Sequence, residues 1–210
     1  MIKAVIFDLD NCLSAADEVG RGLLEPVFGA IRRANDGRLS NEELARAFED
    51  CWRHPLDWVA RTHGFSDEML AAGWEIAKGV EVTTPMHGYP DLDALAELGA
   101  RLFLVTSGFR RLQESKIKAL GFASRFEAVY VDAIDEAGRK GKRGIFEEIL
   151  EAYALKPSEV LVVGDNPDAE IEAGNRLGMT TAQILRPGVP RGPGATHYVH
   201  SLSELKGLLT

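Results

Sequence analysis

With 210 residues, 45% hydrophobic and 27% charged, the chain suffices for one well-buried core with a modest insertion, or for two small units. A net charge of -8 and a pI near 5.2 argue against a nucleic-acid partner, which would require a basic face. Cys12 and Cys51 form no metal or redox motif and no disulfide framework, no apolar stretch approaches a membrane span, and the N-terminus runs straight into a strand, so a cytoplasmic small-molecule protein, monomer or homodimer, is expected.

Ala4 to Phe7 are apolar without alternation, the pattern of a strand buried on both faces of a parallel sheet. Such sheets place ligands at the carboxyl ends of their strands, and there Asp8 and Asp10 follow. Extended backbone points both carboxylates the same way, a repulsion that a cation or a shared proton relieves; a strand-end turn with Asp8 capping a helix is the plainer alternative. Helical spacing then takes over through Val19, Leu23, Leu24, Val27, Phe28 and Ile31, with a stop at Asp36-Gly37. Ser40 and Glu43 make a capping box for a second helix, and Trp52 to Thr62 and Ser66 to Lys78 read as two more, the last closed by Gly79. No strand interrupts this stretch, so residues 14–87 are expected to form a helical subdomain inserted after the first strand.

From Tyr89 the chain alternates. Helix is predicted at Pro90 to Leu98, Gln113 to Leu120, Gly144 to Tyr153 and Ile171 to Leu177, and strand at Leu102 to Val105, Ala128 to Val131, Val160 to Val163 and Thr181 to Leu185. A Pro/Gly-rich loop follows at Pro187 to Gly194, and Ser201 with Glu204 is expected to cap a last helix. This alternation implies an α/β fold with a mostly parallel sheet covered on both faces.

Two later strands end in residues that suit the same edge. Leu102 to Val105 runs into Thr106-Ser107-Gly108, a hydroxyl followed by small residues whose amides can approach an anion, although such residues also open many helices. Val160 to Val163 runs into Gly164-Asp165-Asn166-Pro167-Asp168-Ala169-Glu170, where capping by Asp165 or Asp168 is the bland explanation. Asp8, Asp10 and Asp165 at one sheet edge make a hard-oxygen site suited to magnesium. In the helical stretch, Trp52, Arg53, His54, Trp58 and Arg61 form an aromatic and basic patch. The preferred reading buries both tryptophans in that subdomain's core and leaves the charges solvated; contact with an organic phosphate is the alternative, open also to His87. The histidines show no metal-ligand spacing, and His197 and His200 stand far from the motifs.

In this order the segments resemble the haloacid dehalogenase superfamily over essentially the whole chain. Phe7-Asp8-Leu9-Asp10-Asn11-Cys12-Leu13 is similar to its first motif, Val105-Thr106-Ser107-Gly108 to its second, and Val162-Val163-Gly164-Asp165 with the helix through Thr180 to its fourth. For the third motif, a lysine ahead of a helix, Lys140 holds the usual spacing to Phe146 and Lys142 is the competitor; the prolines that often follow are absent. Cys12 and Asn11 depart from the first motif, and Glu170 stands where aspartate is commoner, with Asp168 as its rival. The resemblance implies a Rossmann-like, doubly wound core from residues 1–13 and 88–210 with a type 1 helical cap at 14–87. It further implies a magnesium-dependent phosphatase acting on a small phosphorylated metabolite, with no nucleic-acid or membrane partner. Asp8 would be the nucleophile and Asp10 the general acid and base. Asp8, Asp10 through its backbone carbonyl, Asp165 and Glu170 would hold Mg2+, and Thr106, Ser107, Gly108 and Lys140 would bind the phosphoryl group. Asp10 speaks against a dehalogenase, and Lys78, the single lysine of the insertion, sits at a helix end rather than where a phosphonatase would use it. A phosphomutase of the beta-phosphoglucomutase type, or a silent binding protein on the same fold, are the alternatives.

Overall fold

The unbroken apolar runs become the inner strands of one sheet. In the computed structural model, which describes residues 1–209, β1 (Ala4–Phe7), β2 (Arg101–Gly108), β3 (Ala128–Ala133), β4 (Val160–Gly164), β5 (Thr180–Ile184) and β6 (His197–Val199) are all parallel, in the order β3-β2-β1-β4-β5-β6. Thr210, the end of the expected core segment, lies outside the described residues. Successive side chains of a strand point to opposite faces, and both faces are covered here: Val5 and Phe7 pack with Leu104, Val163 and Leu205, while Ala4 and Ile6 pack with Phe103, Phe146 and Val162. That is why β1 and β4 show no polar alternation. The chain runs outward from β1 through β2 to β3 and then crosses back to β4 on the other side of β1, so the strand order reverses there and a crevice opens at the carboxyl ends of β1 and its neighbours. Phe7 lies opposite both Leu104 and Val163, which delivers Asp8 to that crevice.

Between β1 and β2 the described residues carry helices and, apart from an isolated Asp10–Ser14 bridge, no strand pairing. Up to residue 87 these are two 3-10 turns, then α1 (Glu25–Ala34), α2 (Asn41–Asp50), α3 (Leu56–His63) and α4 (Asp67–Ala77). The predicted helix from Val19 starts only at Glu25, because Gly20, at φ 84°, separates the two 3-10 turns and Pro26 suits the first turn of α1. Trp52 to His54 likewise stay outside α3, since extended Pro55 is its N-cap. The Ser40–Glu43 capping box forms, with Ser40 Oγ accepting from Glu43 N at 3.2 Å and Glu43 Oε2 from Ser40 N at 2.8 Å. α1 and α4 approach so closely at Gly73 that a Cβ there would meet Ile31 at 2.7 Å. The apolar cluster of these helices, with Phe28 stacked on Phe48, also takes in Phe109 and Ile134 from the sheet side.

After β2 come α5 (Arg110–Leu120), α6 (Gly141–Ala152) and α7 (Glu172–Arg176). Ahead of β2, Pro90 to Leu98 yields a 3-10 segment, Leu92–Glu97, rather than an α-helix. The last helix is also 3-10, Leu202–Leu208, and Ser201 does not cap it; Glu204 turns back to accept from His200 N at 3.1 Å. No described helix is long and apolar enough to cross a membrane.

Candidate active site

Asp8 extends β1 by one bond, its N–H donating to Val163 O at 2.9 Å. One strand away β4 ends at Gly164, and Asp165 follows. Asn166, not an acid, caps the next turn: its side chain accepts from Asp168 N at 3.0 Å. A single π-turn, Pro167–Ile171, then swings Glu170 back until its Oε2 accepts from Asn166 N at 3.2 Å. Only glycine fits at 164, because a Cβ would lie 2.6 Å from Glu170 Cγ. Asp8, Asp165 and Glu170 are all buried and offer oxygens within 4.8 Å of one another; of the two candidate acids in this segment the structure brings Glu170, and not Asp168, to Asp8 and Asp165.

Into this cluster comes Lys142, 9% exposed, paired with both Asp8 Oδ1 and Glu170 Oε1. Lys140, the lysine favoured by sequence spacing, is elsewhere: its Nζ bonds Glu148 at 2.7 Å on the surface, 59% exposed. Gly141, at φ 68°, turns the chain between them, so Lys140 is the N-cap of α6 and Lys142 lies in its first turn. Burial raises the Asp8 carboxyl well above the usual range; Lys142 opposes this and the charges of Glu170 and Asp165 add to it. Asp165 is pushed up to about 7, by burial first and then by Glu170. For Lys142 burial works the other way, yet the two carboxylates outweigh it and its pKa rises. Three buried carboxylates face one buried ammonium and, at Asp165, the Arg53 guanidinium 3.5 Å away, and the negative charge left over suits a further cation.

The Asp10 side chain lines the cavity over that cluster but takes its partners from α5. Both its oxygens meet Lys116 Nζ, at 2.8 and 2.9 Å, and Oδ2 also accepts from Gln113 Nε2 at 3.2 Å. Gln113 Oε1 accepts in turn from the buried Thr106 hydroxyl at 3.3 Å. Sequence reading passed over Gln113 and Lys116. The available signal was two polar residues one turn apart on the face of α5 that also carries the buried Ile117. Asn11 adopts φ 55°, a left-handed conformation open to glycine and tolerated by asparagine. Cys12 is a buried thiol directed at Val163 O, 3.7 Å away.

Ser107 Oγ donates to Asp132 Oδ2 at 3.1 Å. Asp132 also accepts from Arg139 Nε at 2.8 Å, while Arg139 Nη1 reaches Asp57 of α3 at 2.9 Å. A cavity of about 480 Å³ covers the acidic cluster, walled on the sheet side by Asp8, Asp10, Thr106 and Gly108 and on the helical side by Trp52, Arg53, His54 and Trp58. The tryptophans thus face the cavity half-buried instead of filling the helical core, contrary to the reading preferred from sequence. His54 stacks on Trp58 with ring centres 3.8 Å apart, and burial lowers its pKa. Arg53 Nη2 stands 3.5 Å from Asp165 Oδ2, and its Nε is buried without a partner among the described residues. Arg61 is at the exposed rim, and the His87 side chain is exposed, while its backbone N–H donates to Glu18 Oε1.

A parallel α/β sheet whose central strand ends in buried carboxylates around a lysine defines a hydrolase of the haloacid dehalogenase type. Residues 2–178 match the haloacid dehalogenase-like hydrolase family, and the chain belongs to it. It is 32% identical over 200 residues to the glyceraldehyde 3-phosphate phosphatase of Methanopyrus kandleri, covering 89% of this chain and 85% of that one. To the N-acylneuraminate-9-phosphatase of Rattus norvegicus it is 30% identical, covering 99% and 94%. In structure it resembles the haloacid dehalogenase-like protein SP0104 of Streptococcus pneumoniae, with a TM-score of 0.74, 17% identity and coverage of 100% and 99%. A phosphatase of the family from Thermococcus onnurineus gives a TM-score of 0.65 at 23% identity, covering 99% and 98%.

Proposed function

We propose that this protein is a magnesium-dependent phosphatase that hydrolyses a small phosphorylated metabolite through an aspartyl phosphate. The observation that carries the reading is the buried Asp8 carboxylate, paired with Lys142 beside Asp165, with a second aspartate two residues on. The phosphatase names of the relatives that match along most of the chain support it.

The donor set fits a hard divalent cation: all-oxygen, buried and richer in negative charge than Lys142 can neutralise. Asp8 and Asp165 would hold Mg2+, together with the Asp10 backbone carbonyl. Both Glu170 oxygens already have protein partners, so Glu170 serves to anchor Lys142 and the Asn166 turn. Bound there, the cation supplies positive charge against which an anionic ester and an anionic nucleophile can approach.

Asp8 attacks phosphorus, forming the Oδ–P bond as the ester P–O bond breaks, and Asp10 gives its proton to the departing oxygen. Asp10 then removes a proton from the water that attacks phosphorus, and the Asp8–phosphorus bond breaks to release phosphate and restore both carboxyl groups. Lys142, Thr106 Oγ1, Ser107 and the amides near Gly108 hold the phosphoryl oxygens, whose charge grows more diffuse in flight. Residues 14–87 act as a cap: Arg53 and the His54–Trp58 stack meet the remainder of the substrate in the cavity.

A panel of phosphorylated metabolites assayed with magnesium tests the reading. Turnover is expected on at least one, lost in Asp8→Asn, with oxygen from labelled water entering the Asp8 carboxylate in a single turnover. Turnover independent of Asp8 overturns the covalent scheme. A requirement for a bisphosphate activator, with slow phosphate release, would make the protein a phosphomutase instead.

A further inference from the structure

Lys116 is a buried cation for which the mechanism above has no use. It lies on α5, its side chain is 6% exposed, and its Nζ meets both Asp10 oxygens at 2.8 and 2.9 Å. One helical turn earlier Gln113 donates to Asp10 Oδ2 at 3.2 Å and to Ser107 O at 3.3 Å, and its oxygen accepts from Thr106 at 3.3 Å, which fixes the amide's orientation. A helix is a rigid mount, whereas Asp10 sits in a loop past the end of β1.

We propose that Lys116, with Gln113, is a positioning device for Asp10: it sets where the acid–base carboxyl stands relative to the departing oxygen and the attacking water. This rests on the phosphatase reading of Asp10. Two physical arguments support it. A carboxyl group free to rotate spends little time in the geometry that proton transfer needs, and bracketing by two donors from one helix removes that freedom. Pairing with Lys116 also offsets the charge that Asp10 carries once it has given up its proton, so the ionised base adds less to the repulsion around Asp8, Asp165 and Glu170. Lys116 itself touches neither the substrate nor the Asp8 nucleophile in this scheme; it acts through Asp10.

The test uses the whole enzyme with magnesium, p-nitrophenyl phosphate, which has a good leaving group, and an alkyl phosphate that the wild type turns over. Only the alkyl ester needs a proton in the first step. Lys116→Met is expected to lower kcat on the alkyl ester about 10- to 100-fold, a part of the ~100- to 10,000-fold that acid–base catalysis supplies. KM should change little. The pre-steady-state burst of p-nitrophenol should stay within about threefold of wild type, while its steady-state release slows because dephosphorylation has lost its base. Lys116→Arg should restore most of the alkyl rate, and Lys116→Met should cost nothing further in an Asp10→Asn background. Equal losses on both esters and on the burst, or losses additive with Asp10→Asn, would show a merely structural lysine and overturn the inference. Should Lys116→Met fail to fold, Gln113→Leu is judged by the same split between esters. Wild-type enzyme without magnesium-dependent turnover would instead overturn the phosphatase reading beneath it.

Discussion

Two lysines separated by one glycine should behave as opposites when each is replaced by methionine. Lys142 pairs with two buried carboxylates, and removing one partner from such a group costs about 3–5 kcal/mol, because the carboxylates are left buried and unopposed. The cluster has one escape, which is to take up a proton. Asp165 titrates at about 7 with Lys142 in place, and Lys142 lowers both it and Asp8, so without the lysine these carboxyls titrate higher still and the variant keeps a proton that the wild type releases above about pH 7. In that window the variant loses stability relative to the wild type as pH rises, by about 1.4 kcal/mol per pH unit for one proton, whereas below it both proteins hold the Asp165 proton and that slope cancels. The loss in Lys142→Met is therefore expected to approach ~3–5 kcal/mol near pH 8.5 and to be about 1–2 kcal/mol smaller near pH 6.5. Urea unfolding with a chelator at both pH values measures it, and for a chain of this length each kcal/mol moves Tm by about 2–4 °C. Lys140→Met breaks only an exposed pair with Glu148 and should shift neither curve by more than about 1 kcal/mol. A pH-independent loss in Lys142→Met, or equal losses in the two variants, would refute the charge-cluster argument.

Gly164→Ala pushes a methyl group into Glu170, so it should destabilise by about 1–3 kcal/mol and weaken magnesium binding, read by calorimetric titration; unchanged magnesium affinity would mean that Glu170 does not support the site. Gly73→Ala drives into Ile31 at the α1–α4 crossing, and a loss of about 1–3 kcal/mol in urea unfolding is expected, with kcat little changed for the folded fraction. Arg53→Met should raise KM about tenfold or more, the worth of one charge-assisted hydrogen bond, and lower kcat less; a selective fall in kcat with KM intact would place Arg53 in the chemical step.

The sheet was readable because its inner strands are buried on both faces, which forces unbroken apolar runs such as Ala4 to Phe7 and Val160 to Val163. Asp8, Thr106 and Asp165 were readable for the related reason that each follows such a run. Lys142 was not, since spacing favours Lys140 and only the left-handed turn at Gly141 reveals which lysine faces the carboxylates. Gln113 and Lys116 were missed because their meaning depends on where α5 lies against the loop after β1, a long-range fact with no local signature. Trp52 and Trp58 were misjudged because hydrophobicity alone does not separate a core side chain from a cavity wall.

Phe109 and Ile134 belong by chain position to the sheet, yet both are buried in the apolar cluster of α1 to α4, with Phe109 edge-on to Trp74 at 4.8 Å. The inserted helices therefore do not close their own interior. Excising them would leave two large apolar side chains facing water at the mouth of the crevice, an invitation to aggregation, and the excised helices would lack part of their filling. Cooperativity crosses the seam: heat should melt the molecule in a single calorimetric peak, and a truncated α/β half is a poor starting point for redesign.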